Sequence, residues 1–135
     1  MSDCVFCKII AGGIPAQKVY EDKNALAFLD INPTTRGHTL LVPKKHRELI
    51  TEMPDKELQG FMQSFQKVMK GMLRYGSGVN VIQNNGKAAG QLVPHVHFHL
   101  IPRKPGDGVH IGEWKTITVS DMDRVQKEIQ SLLKA

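Results

Sequence analysis

The chain has 135 residues, 41% hydrophobic and 23% charged, with a formal net charge of +5. That length suits one domain that buries roughly two-thirds of its unfolded surface, and no apolar run approaches the ~18 residues of a membrane span. With no apolar signal-peptide region and no concentrated basic face, the chain reads as cytoplasmic, with neither a membrane nor a nucleic-acid partner; its diffuse positive charge favours small anions.

In chain order, Ser2 and Asp3 are expected to cap a short helix over residues 5–11, stopped by Gly12-Gly13. Residues 18–21 and 25–30 read as a strand pair around Asp22-Lys23-Asn24, and residues 38–43 as a strand closed by Pro43. A long helix starts near Pro54, with Leu58, Phe61, Met62, Phe65, Val68, Met69, Met72 and Leu73 at helical spacing, and ends at Gly76. Residues 79–83 are a strand, 84–94 a loop, and 95–101 a strand ending at Pro102. A last helix over residues 121–134 opens at Ser120 and presents Val125, Ile129, Leu132 and Leu133. Strands joined by short turns, with one long helix inserted, imply an α+β class: a mainly antiparallel sheet with helices packed on one side.

The strand 95–101 carries the chemistry. His95, His97 and His99 alternate with Val96, Phe98 and Leu100, so a strand sets the imidazoles on one face and the apolar residues on the other. Such a row serves as a metal tripod, an acid–base and nucleophilic set, or a structural cluster. The preceding loop, Asn84-Asn85-Gly86-Lys87-Ala88-Ala89-Gly90-Gln91-Leu92-Val93, favours the second use. Its glycines let backbone N–H groups approach an anion, and Asn84 and Gln91 add neutral polar donors. Imidazole attacks phosphorus, and a second imidazole protonates a leaving group. Gly86-Lys-Ala-Ala-Gly90 lacks the Lys-Ser/Thr ending of a P-loop, and no Rossmann unit is present.

These residues resemble the histidine triad (HIT) family. Besides His95-Val-His97-Phe-His99-Leu-Ile and the Asn84–Gln91 loop, the family's order is followed by Cys4-Val-Phe-Cys-Lys-Ile-Ile, Ile14-Pro-Ala, Val19-Tyr-Glu-Asp, Ala27-Phe-Leu-Asp-Ile-Asn-Pro and Gly37-His-Thr-Leu-Leu-Val-Pro-Lys-Lys-His46. The resemblance implies a five-stranded antiparallel sheet with one long helix and short terminal helices, and a homodimer joining two sheets. It implies hydrolysis or nucleotidyl transfer at the α-phosphate of a purine nucleotide, such as adenosine phosphoramidate, through a nucleotidyl-histidine. Diadenosine polyphosphate hydrolysis and nucleotide-binding regulation with incidental turnover are the alternatives.

Residue by residue, the resemblance makes His97 the nucleophile, oriented by the His95 carbonyl, and His99 the contact to phosphate and leaving group, with His38 in support. Asn84, Gly90, Gln91 and the Leu92 N–H hold phosphate oxygens. Leu92 stands where the family more often has serine or threonine, so only its N–H transfers. Phe6, Ile9, Phe28 and Ile31 enclose the purine, and Asp30 accepts the ribose hydroxyls. From the residues alone, Phe6, Ile9 and Phe28 read equally well as core.

Cys4-x-x-Cys7 by itself is ambiguous between redox use, zinc and neither. The resemblance to the zinc-containing branch implies a structural zinc held by Cys4, Cys7, His46 and His95. That divides the histidine row, leaving His97 and His99 for substrate. His110, in the glycine-rich loop 106–112, reads as exposed; the resemblance puts Trp114 in a stretch that family dimers use near the partner's active site, but beyond Arg103 the chain departs from the family pattern and no role is carried over.

Overall fold

The computed structural model describes residues 3–134. The first helix, α1 (Val5–Ile10), is capped by Cys4, whose Sγ accepts from the Cys7 N–H at 3.4 Å. The expected cap at Asp3 is therefore displaced by one residue, and Ser2 lies outside the described residues. Gly12, with φ +83°, and Gly13, whose N–H reaches the Lys8 carbonyl at 2.8 Å, turn the chain away as expected.

Strands β1 (Lys18–Glu21) and β2 (Ala25–Leu29) form a hairpin. The Asp22 carboxylate builds its turn by accepting from the N–H groups of Asn24 and Ala25 at 2.8 and 3.0 Å. Strand β3 (Thr39–Pro43) follows, then α2 (Asp55–Tyr75), β4 (Gly78–Gln83), β5 (Phe98–Arg103) and α3 (Met122–Leu133). The five strands make one antiparallel sheet in the order β1-β2-β3-β5-β4. Among the described residues, no helix is long and apolar enough to cross a membrane.

Both faces of the sheet are covered. Phe61, Val68 and Met72 of α2 and Val125 and Ile129 of α3 pack on Ala27, Leu29, Leu41, Val96, Phe98 and Leu100. On the opposite face, Phe6 and Ile9 of α1 pack on Leu26, Phe28, Leu40 and Val42. The expectation of helices on one side alone is corrected. β2 and β3 are buried at every position, so either face left open would expose a row of aliphatic side chains to water. Met62 and Leu73, expected on the core face of α2, are 36% and 52% exposed. They lie roughly 100–120° around the helix from Phe61, at the edge of the buried stripe.

The histidine strand is offset from its expected limits. β5 begins at Phe98, with His95 to His97 in a lead-in outside the strand, and it continues through Pro102. Continuing the Leu41–Phe98 register would set Pro43 against Val96. Pro43 has no N–H to donate, and the Val96 N–H instead reaches the Arg47 carbonyl at 2.7 Å. At the other end β3 stops pairing at Leu100, so Pro102 lies where only β4 borders β5, a setting that tolerates proline. The alternation itself survives, because Val96, Phe98 and Leu100 all enter the helix-side core.

Candidate active site and metal centre

His99 pairs in register with Leu40 of β3 and Ile82 of β4, on the sheet face that α1 covers in part. His97, His99 and His38 gather there, all under 10% exposed. Ring centroids of His97 and His99 lie 5.0 Å apart, and those of His38 and His99 5.2 Å apart.

Main-chain atoms assign a tautomer to each ring. The His95 carbonyl, 2.7 Å from Nδ1 of His97, can only accept, so Nδ1 carries the proton and Nε2 keeps a free lone pair. The Thr34 N–H donates to Nδ1 of His38 at 2.9 Å, so the His38 proton sits on Nε2. That Nε2–H donates to Nδ1 of His99 at 3.0 Å, which puts the His99 proton on its Nε2. The outcome is one ring able to attack and a neighbouring ring able to donate.

Burial keeps these rings neutral. It pushes His38 down to about 3, with help from His99, and His99 down to about 4, with help from His97. His97 is also lowered by burial, against the opposing pull of the His95 carbonyl and the Asp30 carboxylate. Burial raises Asp30 in turn, although the Asn32 N–H donates to its Oδ1 at 2.8 Å. A neutral imidazole is the nucleophilic form.

Four further donors converge where α1 meets the lead-in to β5. Sγ of Cys4 and Cys7 and Nδ1 of His46 lie 3.3, 3.6 and 3.2 Å from Nδ1 of His95. Ligand atoms of all four residues fall within 4.8 Å of one another. Nε2 of His95 is 3.0 Å from the Pro43 carbonyl and so carries the proton, aiming the Nδ1 lone pair at the cluster. Two thiols and two imidazoles are the donor set of a closed tetrahedral zinc site, and the residues fit that ion. Asp30, His38 and His99 also converge within 4.8 Å, but this second group fails the same test. Nδ1 of His38 accepts from Thr34, so the Nε2 facing the group holds a proton rather than a lone pair.

The glycine-rich loop is self-braced. Gly86 and Gly90 have φ of +94° and +93°, the left-handed region where a Cβ is strained. Oε1 of Gln91 accepts from the Gly86 N–H at 2.7 Å, and its Nε2 donates to the Glu48 carbonyl at 2.7 Å. The Gln91 amide, expected on phosphate, thus has both ends engaged within the protein. The Leu92 N–H makes no hydrogen bond among the described residues, and its side chain is 91% exposed.

Phe6 meets the His97 ring edge-on at 5.1 Å and that of Phe28 at 5.5 Å. Phe6, Ile9 and Phe28 are all under 10% exposed in the α1-side core, whereas Ile31 is 83% exposed. Two cavities, of about 400 and 140 Å³, open elsewhere, near Tyr20 and Gln130 and near Thr35 and Lys104 respectively. His110 is exposed, as expected.

Sequence reasoning missed the Pro43 carbonyl and the Thr34 N–H, main-chain groups that carry no residue-type signal. It left Trp114 without an assigned role; the ring centroid of that residue lies 4.9 Å from that of His99.

The HIT domain family model matches residues 11–106. An uncharacterised HIT-like protein of Methanocaldococcus jannaschii is 55% identical over 130 residues, covering 94% of this chain and 98% of its own. An adenosine 5'-monophosphoramidase of Schizosaccharomyces pombe is 41% identical over 135 residues, covering 97% and 98%. A Zn-bound histidine triad family protein from Mycobacterium smegmatis superposes with a TM-score of 0.87 at 36% identity, over 98% of this chain and 94% of that one. Together with the histidine cluster they match, these similarities establish that the chain belongs to the HIT family.

Proposed function

We propose that the protein is a nucleotide hydrolase or nucleotidyltransferase acting at the α-phosphate of purine nucleotides, with adenosine phosphoramidate as the representative substrate. The observation that carries this is the tautomer arrangement: a lone pair on Nε2 of His97 beside a proton on Nε2 of His99. The phosphoramidase relatives, about 41% identical, supply the substrate class.

In this reading Nε2 of His97 forms a bond to phosphorus as the phosphorus–leaving-group bond breaks; Nε2–H of the neutral His99 hydrogen-bonds the departing atom, which takes its proton from a water and leaves hydroxide. The His95 carbonyl, already bonded to Nδ1–H of His97, meets the positive charge that grows on the attacking ring. That hydroxide then attacks the nucleotidyl-histidine, breaking its bond to Nε2 of His97 and releasing the nucleoside monophosphate with His97 neutral again. The free Leu92 N–H holds a phosphate oxygen, with Asn84 and Gly90 beside it; Gln91 acts by keeping the loop in shape. Phe6, Ile9, Phe28 and Ile31 border the purine, and Asp30 takes the ribose hydroxyls.

Cys4, Cys7, His46 and His95 would hold a structural zinc. Bound there, the ion would supply a rigid cross-link between α1 and the lead-in to β5. The protein acts as a homodimer in the cytoplasm in this reading. The free edge of β4, where Val81 is 40% exposed, is the pairing edge that favours joining two sheets.

The test is turnover of an adenosine phosphoramidate beside a diadenosine polyphosphate, with mass spectrometry of the quenched reaction. A nucleotidyl adduct on His97, absent from His97→Ala together with turnover while nucleotide still binds, is the expected result. Turnover persisting in His97→Ala removes the nucleophile assignment.

A further inference from the structure

Residues 104–120 contain a single short 3-10 turn, Ile111–Glu113, and are mostly exposed. The segment is nonetheless tied down at both ends. The Arg103 guanidinium bonds the Asp107 carboxylate at 2.9 and 3.0 Å and the Val109 carbonyl at 2.7 Å. Further on, the Ile117 N–H reaches the Pro33 carbonyl at 2.8 Å, beside the Thr34 amide that orients His38.

Between these ties sits Trp114. Its φ of +48° makes it the one non-glycine residue with positive φ among the described residues. A bulky side chain adopts that conformation at a cost, and it persists where the surroundings over-determine it. Here the surroundings are the catalytic rings. The indole stands edge-on to His99, with centroids 4.9 Å apart and planes at 81°, and to His38, at 5.8 Å and 82°. It belongs to neither apolar cluster and remains 37% exposed, so burying core surface does not explain its place.

We propose that Trp114 is a positioning residue: an aromatic wall, supplied in cis, that holds the His99 ring where its Nε2–H meets the leaving group. The rings of His38 and His97 also lie against it, with centroids 5.2 and 5.0 Å away, and the indole at 4.9 Å is a third aromatic neighbour. The inference rests on the nucleotidyl-transfer reading for the consequence, though not for the contact itself.

Two readouts test it on the full-length protein. In Trp114→Leu, kcat should fall about tenfold, part of the roughly 100-fold that ~1 Å misplacement costs. KM for the nucleotide should stay within twofold, and Trp114→Phe should restore most of the loss. Separately, imidazole proton resonances of His38 and His99, shifted by the indole ring current in the wild type, should move in Trp114→Leu. Unmoved resonances overturn the proposal, as does a kcat within twofold of wild type or a loss that phenylalanine does not rescue. A wild type that turns over no nucleotide would sink the functional reading instead, and the resonances would still judge the wall.

Discussion

Replacing His38 with glutamine should change how stability depends on pH. His38 is 1% exposed and held near 3 by burial, whereas an unfolded histidine titrates near 6.5. Below pH 6.5 the unfolded chain therefore binds a proton at this position that the native state refuses. Unfolding gains up to about 1.4 kcal/mol per pH unit from this one site. The contribution is fully present above pH 6.5 and is lost as pH falls toward the folded value. Between pH 6.5 and 4.5 it changes by about 2 kcal/mol. Glutamine has no such titration, so the stability gap between wild type and His38→Gln should shift by about 2 kcal/mol in the variant's favour over that interval. Above pH 7 the gap should be flat. Urea unfolding of both proteins at matched metal content, from pH 4.5 to 7.5, measures it, and carboxylates and metal ligands common to both cancel in the difference. A gap independent of pH would mean that His38 is not held neutral, and the tautomer chain through His99 would fall with it.

Metal analysis of the purified protein should find about one equivalent of zinc, the stoichiometry of a closed four-ligand site; less than about half an equivalent from unstripped protein counts against it. Metal removal, or Cys4→Ser, should lower Tm by on the order of 10 °C, since a ligand at ~100 times its Kd contributes about 2.7 kcal/mol. Gln91→Leu leaves the Gly86 N–H and Glu48 carbonyl without the partners they have here. Losing about 1.4 kcal/mol of loop order should raise KM about tenfold, with a smaller change in kcat, read from steady-state kinetics.

Much of this was legible in the sequence because the signals were local. The Asp22 turn, the apolar stripe of α2 and the alternation around Phe98 are each written in neighbouring residue types, and each is found in the structure. Cys4, Cys7, His46 and His95 could be grouped only through a resemblance, since the fold brings them together across 91 residues of chain. What stayed hidden depended on atoms that every residue shares. Nothing in the letters distinguishes the Pro43 carbonyl or the Thr34 N–H from any other peptide group. The late start of β5 follows from where Pro43 falls in a register that is fixed only when β3 and β5 pair. The placement of Trp114 depends on a tie between Ile117 and Pro33, 84 positions apart and main chain on both sides.

The His95 carbonyl and the Thr34 amide belong to the peptide chain itself. Substitution cannot delete a carbonyl, and only proline removes an amide hydrogen. The proton inventory of the reacting rings is therefore insulated from drift at most surrounding positions. On the proposed function, an exposed side chain that would border the ligand, such as that of Ile31, is free to diversify what is bound. Such a scaffold separates the inheritance of a reaction from the inheritance of a substrate, so related chains can change clientele without reinventing the chemistry.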